Sequence, residues 1–170
     1  YEQGAHLDEL TPQTIDHMAR SAPLHDLGKV AIPDHILLKP GRHTAEETVV
    51  MRGHAMHGWE MLRRAAARLG DDADFLTYGM QIARYHHERW DGSGYPDNLR
   101  GEDIPLLARI LQVADIYDAL TTARSYKPAF SHQHAVEIMM EEANRGWRDP
   151  ELIPLFAEIT QPGVSPDLDA

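Results

Sequence analysis

The adjacent imidazoles His86-His87 lead into Glu88, Arg89, Trp90 and a glycine-rich stretch, Asp91-Gly92-Ser93-Gly94-Tyr95-Pro96. Two neighbouring histidines feeding a tight loop look like metal ligands placed beside a substrate mouth. Further donors are spread along the chain: His25-Asp26 upstream, His54 between, and Asp115 with Asp118 downstream. Imidazole and carboxylate donors suit hard or borderline divalent ions such as Fe, Mn or Ni. The absence of cysteine argues against a thiolate-bound structural zinc.

Each of these residues also has an ordinary reading. His25-Asp26 could be a helix-end histidine and a capping aspartate, yet adjacent helical positions point about 100° apart, so the pair could also serve two neighbouring ions or let Asp26 bridge them. Lys29, three residues on, is a plain surface lysine or an ammonium able to hold a phosphate. His54 is preferred to His57 as a ligand because Gly53 and Gly58 leave room beside it. His6, His17, His35, His43, His132 and His134 read as surface or capping residues.

Asp115 falls in the most apolar segment of the chain, where a buried carboxylate is costly without a cation or several donors. Asp118 either supports a metal ligand or pairs with Arg124. Arg124 and Lys127 are solvated loop charges or, beside a metal cluster, a clamp for phosphate oxygens. Glu88 either orients a metal-bound imidazole or is solvated. The glycines before Tyr95-Pro96 permit unusual backbone angles and close approach to a ligand.

The elements that must carry these groups read as helical throughout. Thr11-Pro12 caps and opens a helix through about Ser21. His25 to Lys29 forms a short turn, Asp34 caps a brief piece reaching Leu38, and Thr44 with Glu47 makes a capping box. One helix is expected from Ala45 to about Leu69, stopped by Gly70, and another from Ala73 to His87. Trp90 to Asp103 is loop. Pro105 to about Leu120 is a central, well-buried helix, followed by a loop from Thr121 to Phe130. Ser131 caps a helix ending before Gly146, Asp149-Pro150 opens a last one, and residues 161–170 form a loose tail.

A length of 170 residues supports one domain with a genuine core, and 42% hydrophobic with 25% charged residues describes a soluble globular chain. No apolar run is long enough to span a bilayer and no signal-peptide pattern is present. The start at Tyr1 suggests a fragment of a longer protein, and zero cysteine fits a reducing, cytoplasmic setting. The net charge of −11 disfavours polymeric nucleic acid as a partner, but bound divalent ions would reverse the local sign and admit a small anionic substrate.

Taken together, His25-Asp26-Leu27-Gly28-Lys29, His54, His86-His87-Glu88, Asp91-Gly92-x-Gly94-Tyr95-Pro96 and Asp115-x-x-Asp118-Ala119-Leu120 resemble the HD-GYP subgroup of the HD metal-dependent phosphohydrolase superfamily. The likeness runs from about Ser21 to Pro150. It implies an all-α, HD-domain helical bundle over residues 1–160 with a centre of two or three divalent metals between helices. The implied activity is that of a bacterial phosphodiesterase hydrolysing cyclic di-GMP to pGpG and GMP. The implied ligands are His25, Asp26, His54, His86, His87 and Asp115, with Asp26 and Lys29 catalytic. Lys29, Arg124 and Lys127 match phosphate-contacting residues, and Gly94, Tyr95 and Pro96 match a loop that lines the substrate pocket and is linked to docking of diguanylate cyclase (GGDEF) domains. The resemblance also implies an earlier helix with a further ligand upstream, and a fused N-terminal receiver or other sensor domain, as in a two-component response regulator. Rival readings are a catalytically silent nucleotide- or cyclase-binding module and another HD nucleotide hydrolase.

Overall fold

A computed structural model of the chain describes residues 10–123 and 128–161. Every regular element among them is helical, and the chain divides into two compact units, Tyr1–His87 and Glu88–Ala170. None of the helices among the described residues is long and apolar enough to cross a membrane.

The first unit holds α1 (Pro12–Ser21), α2 (Asp34–Leu37), α3 (Ala45–Arg52), α4 (His54–Leu69) and α5 (Asp74–Tyr85). Two short 3₁₀ segments, Ala22–Leu24 and Leu27–Ala31, flank His25-Asp26. Local chemistry sets several boundaries. The Thr11 side chain accepts from the Thr14 amide at 3.1 Å with Pro12 opening α1, and Thr44 and Glu47 form the reciprocal capping box of α3. Gly70, at φ 64°, ends α4 in a conformation that favours glycine. Leu62, Ala73, Leu76 and Ala83 are buried where α4 meets α5, with Leu24, Leu27 and Phe75 packed around them.

The single helix expected over Ala45–Leu69 is two. At Gly53 the amide donates to the Val50 carbonyl at 3.0 Å, a tighter turn than the α-helical ladder, and the chain restarts at His54. Glycine is a poor helix interior residue, and here its break begins a new helix with His54 in the first position. Asp34 is likewise the first residue of its short helix, Pro33 taking the cap position.

In the second unit, α6 (Leu106–Thr121) packs with α7 (His132–Asn144) and α8 (Leu152–Ile159). Val113, Met139 and Ile153 form the core, surrounded by Ile116, Tyr117, Leu120 and Phe156. Ser131 caps α7 by accepting from the His134 amide. Arg109, 6% exposed, donates to Asp149 at 2.6 Å and to the Ile104 carbonyl, while the other Asp149 oxygen accepts from the amides of Glu151 and Leu152 at the start of α8. Burial along α6 is uneven. It is concentrated between Leu106 and Val113, and Asp115 is half-buried rather than enclosed, so water offsets part of the cost expected for a carboxylate in so apolar a helix.

Candidate metal centre

Asp26 sits in the non-helical turn between the two 3₁₀ segments, and its placement depends on the missing side chain of Gly28. A Cβ on Gly28 would lie 1.9 Å from the His54 carbonyl oxygen and 2.4 Å from the Gly58 amide nitrogen. The backbone after Asp26 therefore touches the backbone of α4. Gly58, expected to give the His54 ring room, instead admits this contact. Its own Cβ would lie 3.4 Å from that of Ala83 on α5.

His54 at the start of α4 and His86 just past the end of α5 are both buried, and each is oriented by its Nδ1. The His54 Nδ1–H donates to the Met51 carbonyl at 2.7 Å, and His86 Nδ1–H to the carbonyls of Ile82 and Ala83 at 3.0 and 3.1 Å. The stop of α5 at Tyr85, two residues short of expectation, lets the His86 ring reach carbonyls of the last turn. With both Nδ1 atoms donating, the Nε2 atoms carry lone pairs, and these face each other at 3.4 Å. His87 Nε2 lies 3.1 Å from His54 Nε2.

Asp26 completes the group. Its Oδ1 is 3.5 Å from His54 Nε2 and 3.9 Å from His86 Nε2, and it is buried with no hydrogen-bond partner. One ligand atom from each of Asp26, His54, His86 and His87 falls within 4.8 Å of all the others. His25 stands beside them, its Nδ1 donating to the Ala22 carbonyl and its Nε2 3.3 Å from Asp26 Oδ2. Lys29 donates to the same Oδ2 at 2.5 Å.

Burial foremost, reinforced by the charges of neighbouring histidines, pushes His86 down to about 4 and His87 to about 2, and burial lowers His54 as well. All three are neutral and able to ligate near pH 7. Burial works to raise the Asp26 carboxyl, but the hydrogen bonds and charges of His25 and Lys29 outweigh it and hold it well below the usual carboxylate range. Converging lone pairs, an ionised carboxylate and an orphaned oxygen fit a divalent cation. Ligands about 2.0–2.2 Å from a common ion stand about 3.0–3.5 Å from one another, close to the spacings seen here.

Of the six residues implied as ligands, the first unit thus brings together Asp26, His54, His86 and His87, with His25 against Asp26. Asp115 belongs to the second unit, on α6. Arg124 and Lys127 lie outside the described residues, so the Asp118–Arg124 pairing does too; Asp118 accepts from the Thr122 hydroxyl at 3.1 Å. His17 has a buried Nδ1 without a partner and its ring lies 5.3 Å from that of Tyr78. It borders a cavity of about 320 Å³ that the clustered residues do not line.

The loop after the histidines is held internally. Glu88, fully buried, accepts from the amides of Asp97 at 2.7 Å and Leu99 at 3.1 Å, so it is neither solvated nor turned to an imidazole as expected from sequence. Asn98, at φ 57°, donates to the Gly94 carbonyl at 2.5 Å, and the Tyr95–Pro96 peptide is cis. A Cβ on Gly94 would meet Arg89 N at 2.3 Å and Glu88 Cα at 2.4 Å, so this glycine is required by close backbone approach. Neither the Glu88 anchor nor the Arg109–Asp149 pair was legible from spacing, since each joins residues remote in sequence.

A family model described as "HD domain" matches residues 2–152. A protein of Vibrio cholerae named "Cyclic di-GMP phosphodiesterase" is 47% identical over 156 residues, covering 92% of this chain and 31% of that protein. Another from the same organism, "3'3'-cGAMP-specific phosphodiesterase 2", is 43% identical over 157 residues, covering 92% of this chain and 29% of its own length. Among solved structures, a cyclic GMP-AMP specific phosphodiesterase of V. cholerae superposes with a TM-score of 0.56 at 18% identity, covering 91% of this chain and 40% of that one. The chain spans about a third of the length of the curated relatives it matches.

Proposed function

Because this chain belongs to the HD-domain family, we propose that it is a metal-dependent phosphodiesterase hydrolysing cyclic di-GMP to pGpG and onward to GMP. The observation that carries this reading is the group of Asp26, His54, His86 and His87, with the two inner histidines buried and lone pairs converging. The relatives' names supply the substrate class.

Asp26, His54, His86 and His87, with His25 beside them, are the residues that hold the ions, taken as two or three of Fe, Mn or Ni. Bound there, such ions supply Lewis-acid activation of water and of the phosphoryl group. Asp26, kept ionised by His25 and Lys29, orients the attacking water and accepts its hydrogen bond. Lys29, and by resemblance Arg124 and Lys127, offset charge building on the non-bridging oxygens. Gly94, Tyr95 and Pro96 contact the dinucleotide. The ligand role given to Asp115 rests on the resemblance alone. On the same ground we assign the chain to bacterial cytoplasmic signalling, joined to a receiver or sensor domain and paired with a diguanylate cyclase domain.

The relative that acts on 3'3'-cGAMP supports a second substrate reading. Incubating the metal-loaded protein with cyclic di-GMP, pGpG and 3'3'-cGAMP, beside a His25→Ala/Asp26→Ala double variant, separates the cases. Turnover of cyclic di-GMP lost in the double variant is expected. Retained turnover in the variant refutes the site, faster hydrolysis of 3'3'-cGAMP reassigns the substrate, and binding without hydrolysis identifies a silent module.

A further inference from the structure

Glu88 is the residue immediately after His87, and it is fully buried. A carboxylate removed from water is costly unless its oxygens are satisfied. Those of Glu88 are satisfied by main-chain donors of one loop: Oε1 accepts from the Asp97 amide and Oε2 from the Leu99 amide. On the near side of the loop, Gly94 lies against the backbone of Glu88 and Arg89, so close that a Cβ would not fit. The Asn98 side chain closes the turn onto the Gly94 carbonyl. Tyr95 and Pro96 are therefore suspended between two fastenings, both of which end on Glu88.

We propose that Glu88 is a positioning residue for the dinucleotide: it fastens Gly94–Tyr95–Pro96 to the backbone at Glu88-Arg89 and so governs substrate affinity rather than the hydrolytic power of the metal site. The inference deepens the proposed function and rests on its reading that this loop contacts substrate. A carboxylate that merely kept the loop folded would affect stability and all activities alike. Glu88→Gln preserves size but turns one acceptor into an NH₂ group facing an amide N–H, which unfastens one end of the loop.

The test uses Mn²⁺-loaded wild-type and Glu88→Gln protein, with metal content, Tm and kinetics measured on two substrates. Cyclic di-GMP needs the loop, whereas bis(p-nitrophenyl) phosphate, a small diester, needs only the metal site. The variant is expected to keep its metal and its rate on the small diester within about twofold, while KM for cyclic di-GMP rises about tenfold, as for one buried group left unsatisfied. An unchanged KM in a folded, metal-replete variant overturns the proposal, as does a parallel loss on both substrates. If wild type cleaves the small diester but not cyclic di-GMP, the substrate reading fails instead. In that case, or if the variant does not fold, amide exchange in wild type decides: Asp97 and Leu99 exchange at least about a hundredfold slower than in free peptide if Glu88 holds them, and fast exchange overturns the anchor.

Discussion

The Nε2 atoms of His54 and His86 face each other across 3.4 Å while both Nδ1 atoms donate to backbone carbonyls. Neither Nε2 then has a proton to offer the other, so the approach is repulsive until a cation lies between them. The orphaned Asp26 Oδ1, 3.5 Å from His54 Nε2, adds a negative charge aimed at the same place. The two imidazoles are thus held in an approach that a cation between them would relieve.

Metal removal should therefore weaken the protein. Chelation by EDTA is expected to lower Tm, and titrating Mn²⁺ back should raise stability by about 2.7 kcal/mol when free metal reaches a hundred times Kd. Differential scanning calorimetry across a metal series checks this. A Tm indifferent to metal would count against the site.

Acid should destabilise the metal-free protein in a defined window. Unfolded, the His86 imidazole takes up a proton near 6.5, but burial keeps it neutral in the fold down to about 4. Between those values the unfolded state binds more protons, so stability is lost as pH falls, by up to about 1.4 kcal/mol per pH unit for this group. Urea unfolding in EDTA at pH 7 and pH 5 is expected to show the drop, and His86→Gln a shallower one. Equal slopes in the two proteins would contradict the burial argument.

Gly28→Ala should damage the site without touching a ligand. The added methyl would meet the His54 carbonyl oxygen at 1.9 Å, so the Asp26 turn must move away from α4. A stability loss of about 1–3 kcal/mol is expected from this overpacking, together with weaker metal binding. Isothermal titration with Mn²⁺ reads the second effect. Wild-type affinity in the variant would show that the close approach does not set the geometry.

Breaking the Arg109–Asp149 pair should cost more than removing both partners. With one charge left buried, Asp149→Ala is expected to lose about 3–5 kcal/mol, whereas an Arg109→Met/Asp149→Leu double variant recovers a large part of it. Urea denaturation of the single and double variants gives the comparison. Additive losses would refute this account of the second unit.

Short-range signals in the sequence set several helix ends. The cap at Thr11-Pro12, the Thr44–Glu47 box, the Gly70 stop and the Ser131 cap each act within a few residues and stand where spacing puts them. The donors of the metal centre were legible as residue types, because histidines and an aspartate beside apolar segments need an explanation. The break at Gly53 was not, since an apolar period runs through it and tertiary packing decides whether a helix bends or restarts. Glu88 was undecidable for the same reason. Its partners are main-chain amides nine and eleven residues away, and sequence patterns report side chains rather than amide directions.

The most direct test of the metal centre is Mn²⁺ binding by equilibrium dialysis, comparing wild type with Asp26→Ala, His54→Ala and His86→Ala. Wild type should bind at least one ion tightly, and each substitution should cost more than the roughly 10–100-fold loss typical of a residue that only orients a ligand. Binding unchanged by these substitutions, or absent from folded wild-type protein, would contradict the account.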